Sequence, residues 1–405
     1  MTPHARAAAE PLPVTYVADD AGLRAVCAHL SRVHRFALDT EFVGERSYVP
    51  MLEVIQVATA DELAIIDCRA VPSLEPFFAV LADAKREKVL HAGQQDLDLF
   101  HSLTGRTPAP ITDTQVAAAM AGYGSQVGYA QLVERLVGVV VDKSETLTDW
   151  SRRPLTKAQI AYAADDVRYL LPVYDKLHKQ LTDLGRWDWL GEECRRLERA
   201  ARSLPMTPAD AWVRVRGRGS LRSKGLVVLR ELAAWREALA KERDKPRASI
   251  ARDEALVEIA RKAPTTVEAL RGLRAVHSRD LERHAADVVQ RIAAALETPK
   301  EEWPHPPPSQ HATSSTGVVE LLQAVLRLRA EEAGIAPTLL ATSADLQVLV
   351  QRHAAGEAAE LPIMSGWRKT IAGSALLALL EGKASVSLDP VTGLVRVGKR
   401  RAGEE

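Results

Sequence analysis

The stretch "RFALDTEF", residues 35–42, ends an apolar run with two carboxylates, Asp39 and Glu41. Such a run is typical of a β-strand, and the two-residue period of a strand places both acids on one face. Like charges this close repel each other and raise at least one pKa, unless a cation such as a divalent metal ion lies between them. Taken alone, the pair is also explained by Asp39 capping the following turn and Glu41 facing solvent.

Two later segments supply further acids. In "HAGQQDLDLF" (91–100) a predicted strand leads into a helix, and Asp96 and Asp98 lie in its first turn, where the helix dipole by itself favours acids. The segment "PLTKAQIAYAADDVRYLLPVYDKL" (154–177) predicts one helix that begins at a capping box.

Within that predicted helix, Tyr162 and Asp166 are four residues apart and share a face. Asp165 is rotated by about 100° and is expected to face solvent or a surface partner. Acids therefore come from three separated segments of the chain.

The surrounding pattern predicts an α/β domain. "LEVIQVAT" (52–59) and "ELAIIDC" (62–68) are strand candidates joined by short connections, which favours antiparallel neighbours. "KVLHAG" (88–93) follows a helical stretch and predicts a parallel crossover strand.

Beyond about residue 199 the strand signal disappears. Helical periodicity predicts a bundle over 210–296, and a proline-rich linker follows over 297–315. Residues 316–385 repeat the helical texture and predict a second, degenerate copy of the same unit.

Composition sets broad limits on the function. The chain has 405 residues and a net charge of zero, but residues 1–200 carry 22 Lys and Arg against 28 Asp and Glu, whereas residues 201–405 carry 31 against 25. The basic half mildly favours a polyanionic partner. Three scattered cysteines argue against a disulfide framework. No apolar run approaches a membrane span or a signal peptide, so a cytoplasmic location is expected.

The phrases "LDTEF", "HAGQQDLDLF" and "YAADDVRYL" resemble the three exonuclease motifs of the DEDD superfamily, tyrosine branch. "RSYVPMLEVIQVA", "ITDTQVAAAM" and "DKSETLTDWSRRPLT" resemble the bacterial ribonuclease D family. Residues 210–296 are similar to the HRDC domain, and the following helices to a second, divergent one. The resemblance implies a ribonuclease H-like 3′-5′ exonuclease domain over 13–200, with a mixed five-stranded sheet, followed by two all-α HRDC-type domains.

The resemblance also implies the site residues. Two divalent ions, Mg²⁺ or Mn²⁺, would be held by four carboxylates, and Tyr162 would orient the attacking water. The implied ligands are Asp39, Glu41, Asp96 and Asp166. Asp98 is the competing candidate in the second motif.

Other residues have two interpretations each. Phe42 and Met51 are expected to wedge against the terminal base or to belong to the core. Lys143 and Arg153 are expected to contact phosphates or to be ordinary surface charges. In the basic stretch "RVRGRGSLRSKG" (214–225), Arg216 and Arg218 are candidates for the phosphate backbone, and a solvated loop is the alternative.

Two residues near the motifs are given structural roles. Asp113 is expected to cap a helix, and His91 is expected to be structural.

The expected function is a metal-dependent 3′-to-5′ exoribonuclease. It would act on the 3′ ends of tRNA precursors and other small structured RNAs and release nucleoside 5′-monophosphates, as a monomer. The alternatives are a DNA exonuclease of the same superfamily and a non-catalytic RNA-binding scaffold.

Overall fold

The computed structural model describes residues 12–44, 46–141, 148–202, 207–274, 279–305, 316–393 and 395–399. Within these ranges, no helix is both long enough and apolar enough to cross a bilayer.

The N-terminal part forms a mixed sheet in the order β1-β4-β3-β2-β5-β6. The strands are β1 (Val14–Val17), β2 (Arg35–Val43), β3 (Met51–Ala58), β4 (Leu63–Asp67), β5 (Glu87–Leu90) and β6 (Ile111–Asp113). β3 is antiparallel to both β2 and β4, as the short connections predict. β5 is parallel to β2 and β6, which confirms the crossover, and β1 is parallel to β4.

The expectation of five strands is wrong, because the described sheet has six. Both edge strands are very short, with four residues in β1 and three in β6. β1 is mostly exposed and β6 has only three residues, so neither shows the apolar alternation that identifies a half-buried strand.

Helices cover both faces of the sheet. They are α1 (Asp20–Leu30), α2 (Glu75–Ala82), α3 (Gln94–Thr104), α4 (Thr114–Met120), α5 (Tyr129–Val137), α6 (Lys157–Arg168), α7 (Leu170–Asp183) and α8 (Trp187–Arg202). Along β2, Phe36 and Leu38 belong to one core, and Ala37 belongs to a second core beneath α6 and α7. β2 is therefore buried on both faces, and its carboxylates lie where the strand leaves the apolar interior.

The single helix predicted over 154–177 is two helices, α6 and α7, which meet at Tyr169. The physical reason is Pro172, which has no N–H to donate and whose ring would clash with the carbonyl four residues earlier, at Arg168. The capping box of Thr156 and Gln159 is confirmed.

The first helical unit has a hydrophobic core of its own. Its helices are α9 (Ser223–Glu242), α10 (Arg247–Ile250), α11 (Asp253–Lys262), α12 (Val267–Arg271), α13 (Arg279–Arg283) and α14 (Ala285–Glu297). Of the predicted linker over 297–315, residues 306–315 lie outside the described residues.

The second helical unit shares one continuous core with the sheet domain. Its helices are α15 (Thr316–Ala333), α16 (Ser343–Ala354), α17 (Gly366–Arg368) and α18 (Ser374–Leu380), with a π-helical turn over Lys369–Gly373. The prediction that no strands occur beyond residue 199 is wrong, because β7 (Ala384–Leu388) and β8 (Val395–Lys399) form an antiparallel hairpin. The hairpin is mostly exposed, so its sequence lacks the apolar alternation of a half-buried strand.

Candidate active site

The first motif lies on the central strand β2. Asp39 pairs across the sheet with Gln56 on β3, and Glu41 pairs with Val54. The register between β2 and β3 shifts between Glu41 and Phe42. Such bulges bend a strand and redirect its side chains, and they are frequent beside active sites. The irregularity therefore falls at the second carboxylate of the motif.

The second motif contributes Asp96, from the first turn of α3. The Asp96 carboxylate is buried at 7% exposure and accepts a hydrogen bond from the Thr40 hydroxyl of β2. Asp98 accepts a hydrogen bond of 2.8 Å from the Gln94 side chain and lines a separate cavity. The structure thus places Asp96, rather than Asp98, against the strand that carries the first motif.

The turn that leads into α3 is held by Asp113, at the end of β6. Its buried carboxylate accepts the backbone N–H groups of Ala92 and Gly93, at 3.1 and 3.0 Å. Ala92 has a φ of 58°, a conformation that a residue with a β-carbon seldom adopts. Asp113 also caps α4, as predicted. The sequence predicted only the cap, because the contact to residues 92 and 93 joins segments that are twenty residues apart.

The third motif lies on α6, which carries Tyr162 and Asp166. The Tyr162 ring lies 6.1 Å from that of Trp150, measured between centroids. Asp165 pairs with Arg168 at 2.8 Å, which confirms its expected surface partner. The junction of α6 and α7 is held by Tyr129, whose hydroxyl donates to the Asp165 carbonyl at 2.8 Å and accepts the Tyr169 N–H at 3.2 Å.

His91 packs edge-on against Tyr129, with ring centroids 5.7 Å apart. Its two ring nitrogens lie within hydrogen-bond distance of the Thr114 hydroxyl and the Val127 carbonyl. These contacts fit the structural role expected for His91. Tyr129 was not among the predicted site residues, because no local pattern links it to the α6–α7 junction.

The four carboxylates interact electrostatically. Burial and the charges of Asp96, Asp166 and Glu41 raise the pKa of Asp39 well above its ordinary value. Burial, together with Asp166 and Asp96, raises the pKa of Glu41 to about 8.

The other two acids are affected in the same direction. Burial raises the pKa of Asp96 to about 6, and burial with the nearby Asp165 raises the pKa of Asp166 to about 7. Asp39, Glu41, Asp96 and Asp166 therefore form one cluster, in which the charges of Asp96 and Asp166 raise the pKa values of both acids on β2.

No basic side chain among the described residues forms an ion pair with any member of this cluster. As the described side chains stand, no three carboxylates, imidazoles or thiols converge closely enough to hold a metal ion. Beside Asp39, the amide of Gln56 is fully buried, and neither its nitrogen nor its oxygen has a hydrogen-bond partner in the described part of the chain. Unpaired acids and an unsatisfied amide in one place match a site that accommodates hard cations and their water ligands.

Comparisons with known proteins agree with this geometry. The family model for a 3′-5′ exonuclease matches residues 14–182, and the HRDC domain model matches residues 225–292. Ribonuclease D of Nitrobacter hamburgensis is 38% identical over 371 residues, which cover 91% of this chain and 96% of that protein. Ribonuclease D of Gluconacetobacter diazotrophicus is 39% identical over 384 residues, which cover 94% and 95%. The chain belongs to the ribonuclease D family.

The fold agrees with a solved member of the ribonuclease D family. The crystal structure of Escherichia coli RNase D, described as an exoribonuclease involved in structured RNA processing, superposes with a TM-score of 0.81 at 31% identity. It covers 92% of this chain and 99% of that one. The similarity therefore extends through both helical units as well as the exonuclease domain.

The two apolar residues that are expected to contact the substrate, Phe42 and Met51, differ in their surroundings. Phe42 is half-buried and lines the same cavity as Asp98. Met51 is 46% exposed and pairs across the sheet with Val43. Both lie beside the strand irregularity that follows Glu41, and Phe42 also packs against the main core, as its alternative interpretation predicts.

The basic candidates are more dispersed. Arg153 is used inside the protein, where Nε donates to Asp67 at 2.6 Å and Nη2 donates to the Glu53 carbonyl at 2.9 Å. Its neighbour Arg152 is the exposed arginine of the pair. Arg216 is exposed and Arg218 half-buried on the first helical unit, away from the cavity lining. Lys143 lies outside the described residues.

Proposed function

We propose that this ribonuclease D family member hydrolyses phosphodiester bonds at the 3′ ends of tRNA precursors and other small structured RNAs and releases nucleoside 5′-monophosphates. The observation that carries the proposal is the cluster of four carboxylates, assembled from β2, α3 and α6, that has no described basic partner. The 3′-5′ exonuclease family model matches residues 14–182, which include all three elements, and this match supports hydrolysis from the 3′ end.

Asp39, Glu41, Asp96 and Asp166 would hold two divalent ions, Mg²⁺ or Mn²⁺, as is general for exonucleases of this superfamily. Bound ions would lower the pKa of the attacking water and stabilise the charge that develops at the scissile phosphate. Repulsion among the four acids favours cation binding, because a cation relieves the repulsion that raises their pKa values.

Other candidate residues would position the attacking water and the RNA substrate. A tyrosine hydroxyl ionises near pH 10, so Tyr162 would orient the attacking water rather than deprotonate it. Phe42 and Met51 would contact the terminal base from the edge of the cluster. Arg216 and Arg218 would contact the phosphate backbone of the RNA body.

We propose that the chain is divided into three domains and a linker. Residues 13–200 form the exonuclease domain, 210–296 the HRDC domain, 297–315 a linker and 316–385 a second, divergent HRDC-like domain. The helical domains would hold structured RNA while the catalytic domain receives the 3′ end. We assign the activity to a monomer in the cytoplasm.

The test uses Asp39→Asn and Asp166→Asn, with Asp165→Asn as the matched control. The first two remove cluster members, and we expect each to lower the rate of 3′-tail removal about a thousandfold, since a loss near 4 kcal/mol of transition-state stabilisation corresponds to that factor. Asp165→Asn removes an acid that pairs with Arg168 and raises the pKa of Asp166 but is not a member of the cluster, so it should retain activity. Titration with Mn²⁺ should show two ions per wild-type chain and fewer in both cluster variants.

Matched RNA and DNA hairpins with 3′ tails separate the alternatives. Faster removal of the DNA tail would replace the RNA assignment with a DNA exonuclease. A wild-type chain that binds the RNA hairpin but shortens neither tail in Mg²⁺ or Mn²⁺ would instead be a binding scaffold. Full activity in Asp39→Asn would overturn the site assignment.

A further inference from the structure

A cavity of about 530 Å³ lies between the exonuclease domain and the first helical unit. One wall is formed by Phe42, the segment 48–50 and one face of α3. The opposite wall includes Arg214 and Lys241 of the first helical unit. Its size falls within the range of about 300–1,000 Å³ that is typical of ligand pockets.

The cavity adjoins the carboxylate cluster on two elements. Phe42 directly follows Glu41 on β2, and Gln95 directly precedes Asp96 on α3. None of the four carboxylates lines the cavity itself, so a ligand in it would lie beside the site where the terminal phosphodiester would be held, one residue away along β2 and α3.

The charges around the cavity favour an anion. Arg247 forms a two-point ion pair with Glu237, with both N–O distances at 2.6 Å, and Arg236 pairs with Asp253 at 2.6 Å. These cations are neutralised by their partners. Arg214 and Lys241 are exposed, and neither forms an ion pair with any carboxylate in the described ranges. Asp98 is an acid of the lining that is bonded, among the described side chains, only to the neutral Gln94 side chain, so the two unpaired cations outweigh it.

The lining also carries aromatic rings. Phe42 and Tyr48 both contribute to it, and Tyr48 is half-buried with one ring face covered by the Arg247 guanidinium, which leaves the other face for a base. Cationic side chains that follow a backbone, together with aromatic rings on which bases stack, form the usual surface for single-stranded nucleic acid.

We propose that this interdomain cavity binds the nucleotides that lie 5′ of the last two, with Arg214 and Lys241 contacting their phosphates. The proposal rests on the function proposed above and adds a substrate subsite to it. RNA with a single-stranded 3′ tail would occupy both the cluster and the cavity, whereas a dinucleotide would occupy mainly the cluster.

The test compares Arg214→Ala/Lys241→Ala with the matched control Lys262→Ala/Arg271→Ala. The control residues are exposed cations of the same helical unit that do not line the cavity and have no described ion-pair partner. Binding of a fluorescent RNA with a tail of about ten nucleotides is measured in EDTA, so that the substrate stays intact. Hydrolysis of the same RNA and of a dinucleotide is measured in Mg²⁺.

We expect the cavity variant to raise the Kd and KM for the tailed RNA about tenfold, with an unchanged rate on the dinucleotide. The slope of log affinity against log salt concentration should fall by about 1.4, because each phosphate contact on a single strand contributes about 0.7. The control variant should match the wild type. Thermal unfolding checks that both variants are folded, which their surface positions favour.

Two results would overturn the subsite. One is a cavity variant that binds and degrades tailed RNA like the control, and the other is an equal loss on tailed RNA and dinucleotide. Both are distinct from failure of the proposed function, in which the wild-type chain itself hydrolyses neither substrate.

Discussion

The two helical units dock on the exonuclease domain in different ways. The first unit keeps a separate core and meets the loop after β2 through Tyr48, whose hydroxyl donates to Glu237 and whose N–H donates to Asp244 at 3.0 Å. The Arg247 guanidinium lies 4.4 Å from the centroid of the Tyr48 ring. This docking is polar and small.

The second unit has no separate core. Trp367 stacks on Trp189 of α8, with ring centroids 5.2 Å apart and planes 9° apart. Arg368 and Glu193 are both buried, with Nη2 and Oε2 2.6 Å apart, and the Ala336 N–H donates to the Ala119 carbonyl at 3.0 Å. The second unit therefore shares a core with the exonuclease domain, whereas the first unit has a core of its own.

The largest effect on stability is predicted for the replacement of two buried tryptophans, one in each core. Trp367→Ala removes a ring from the shared core and should lower the free energy of unfolding of the exonuclease domain by about 3–5 kcal/mol. Trp235→Ala removes a ring from the separate core and should cost a similar amount in the first unit alone. Hydrogen exchange resolved by peptide measures both.

The two variants should then differ in activity. Trp235→Ala should still hydrolyse a dinucleotide, because the exonuclease domain does not share its core. Trp367→Ala should lose protection in α3 and α8 as well as in the second unit. If both variants lose the same protection from hydrogen exchange across the exonuclease domain, the two units do not differ in how they are coupled to that domain.

A smaller effect is expected from Tyr48→Phe, which removes the hydroxyl bonded to Glu237. A hydrogen bond to a charged group contributes about 1.5–3 kcal/mol, so docking of the first unit should weaken by this order. Exchange should increase in peptides over residues 46–50 and stay unchanged in the second unit.

Tyr123→Phe is the control for this variant, because its hydroxyl donates at 3.1 Å to Gln180 inside the exonuclease domain. It should leave the exchange of residues 46–50 unchanged. If Tyr48→Phe behaves like this control, the tyrosine does not hold the two domains together.

The sequence predicts features that depend on neighbouring residues. β2, its two carboxylates and the capping box of α6 follow from local periodicity and hydrogen bonding, and all are present. Local periodicity does not distinguish Asp96 from Asp98, because both residues lie within the first two turns of α3. The contact with Thr40, which distinguishes them, spans 56 residues.

Docking could not be predicted in the same way. The apolar stripes of α9 and α15 look alike in sequence, yet one belongs to a core confined to its own unit and the other to a core that is continuous with that of the exonuclease domain. Periodicity shows that a face is buried but not which surface covers it. For the same reason Arg153 is expected at the surface by residue type, and only the fold shows that Asp67 occupies its guanidinium.

The smallest predicted effect is that of ionic strength on the docking of the two helical units. Raising the ionic strength from about 0.1 M to about 1 M shortens the Debye length from about 10 Å to about 3 Å and screens exposed charges. Across the first interface, Arg247 lies over the Tyr48 ring and is 42% exposed, and the exposed Asp244 carboxylate accepts the Tyr48 N–H, whereas the Arg368 and Glu193 pair across the second interface is 5% and 9% exposed. Docking of the first unit should therefore weaken by up to about 1 kcal/mol, while docking of the second should not weaken. Salt-dependent exchange at residues 46–50 but not in α17 would support this difference, and the opposite pattern would contradict it.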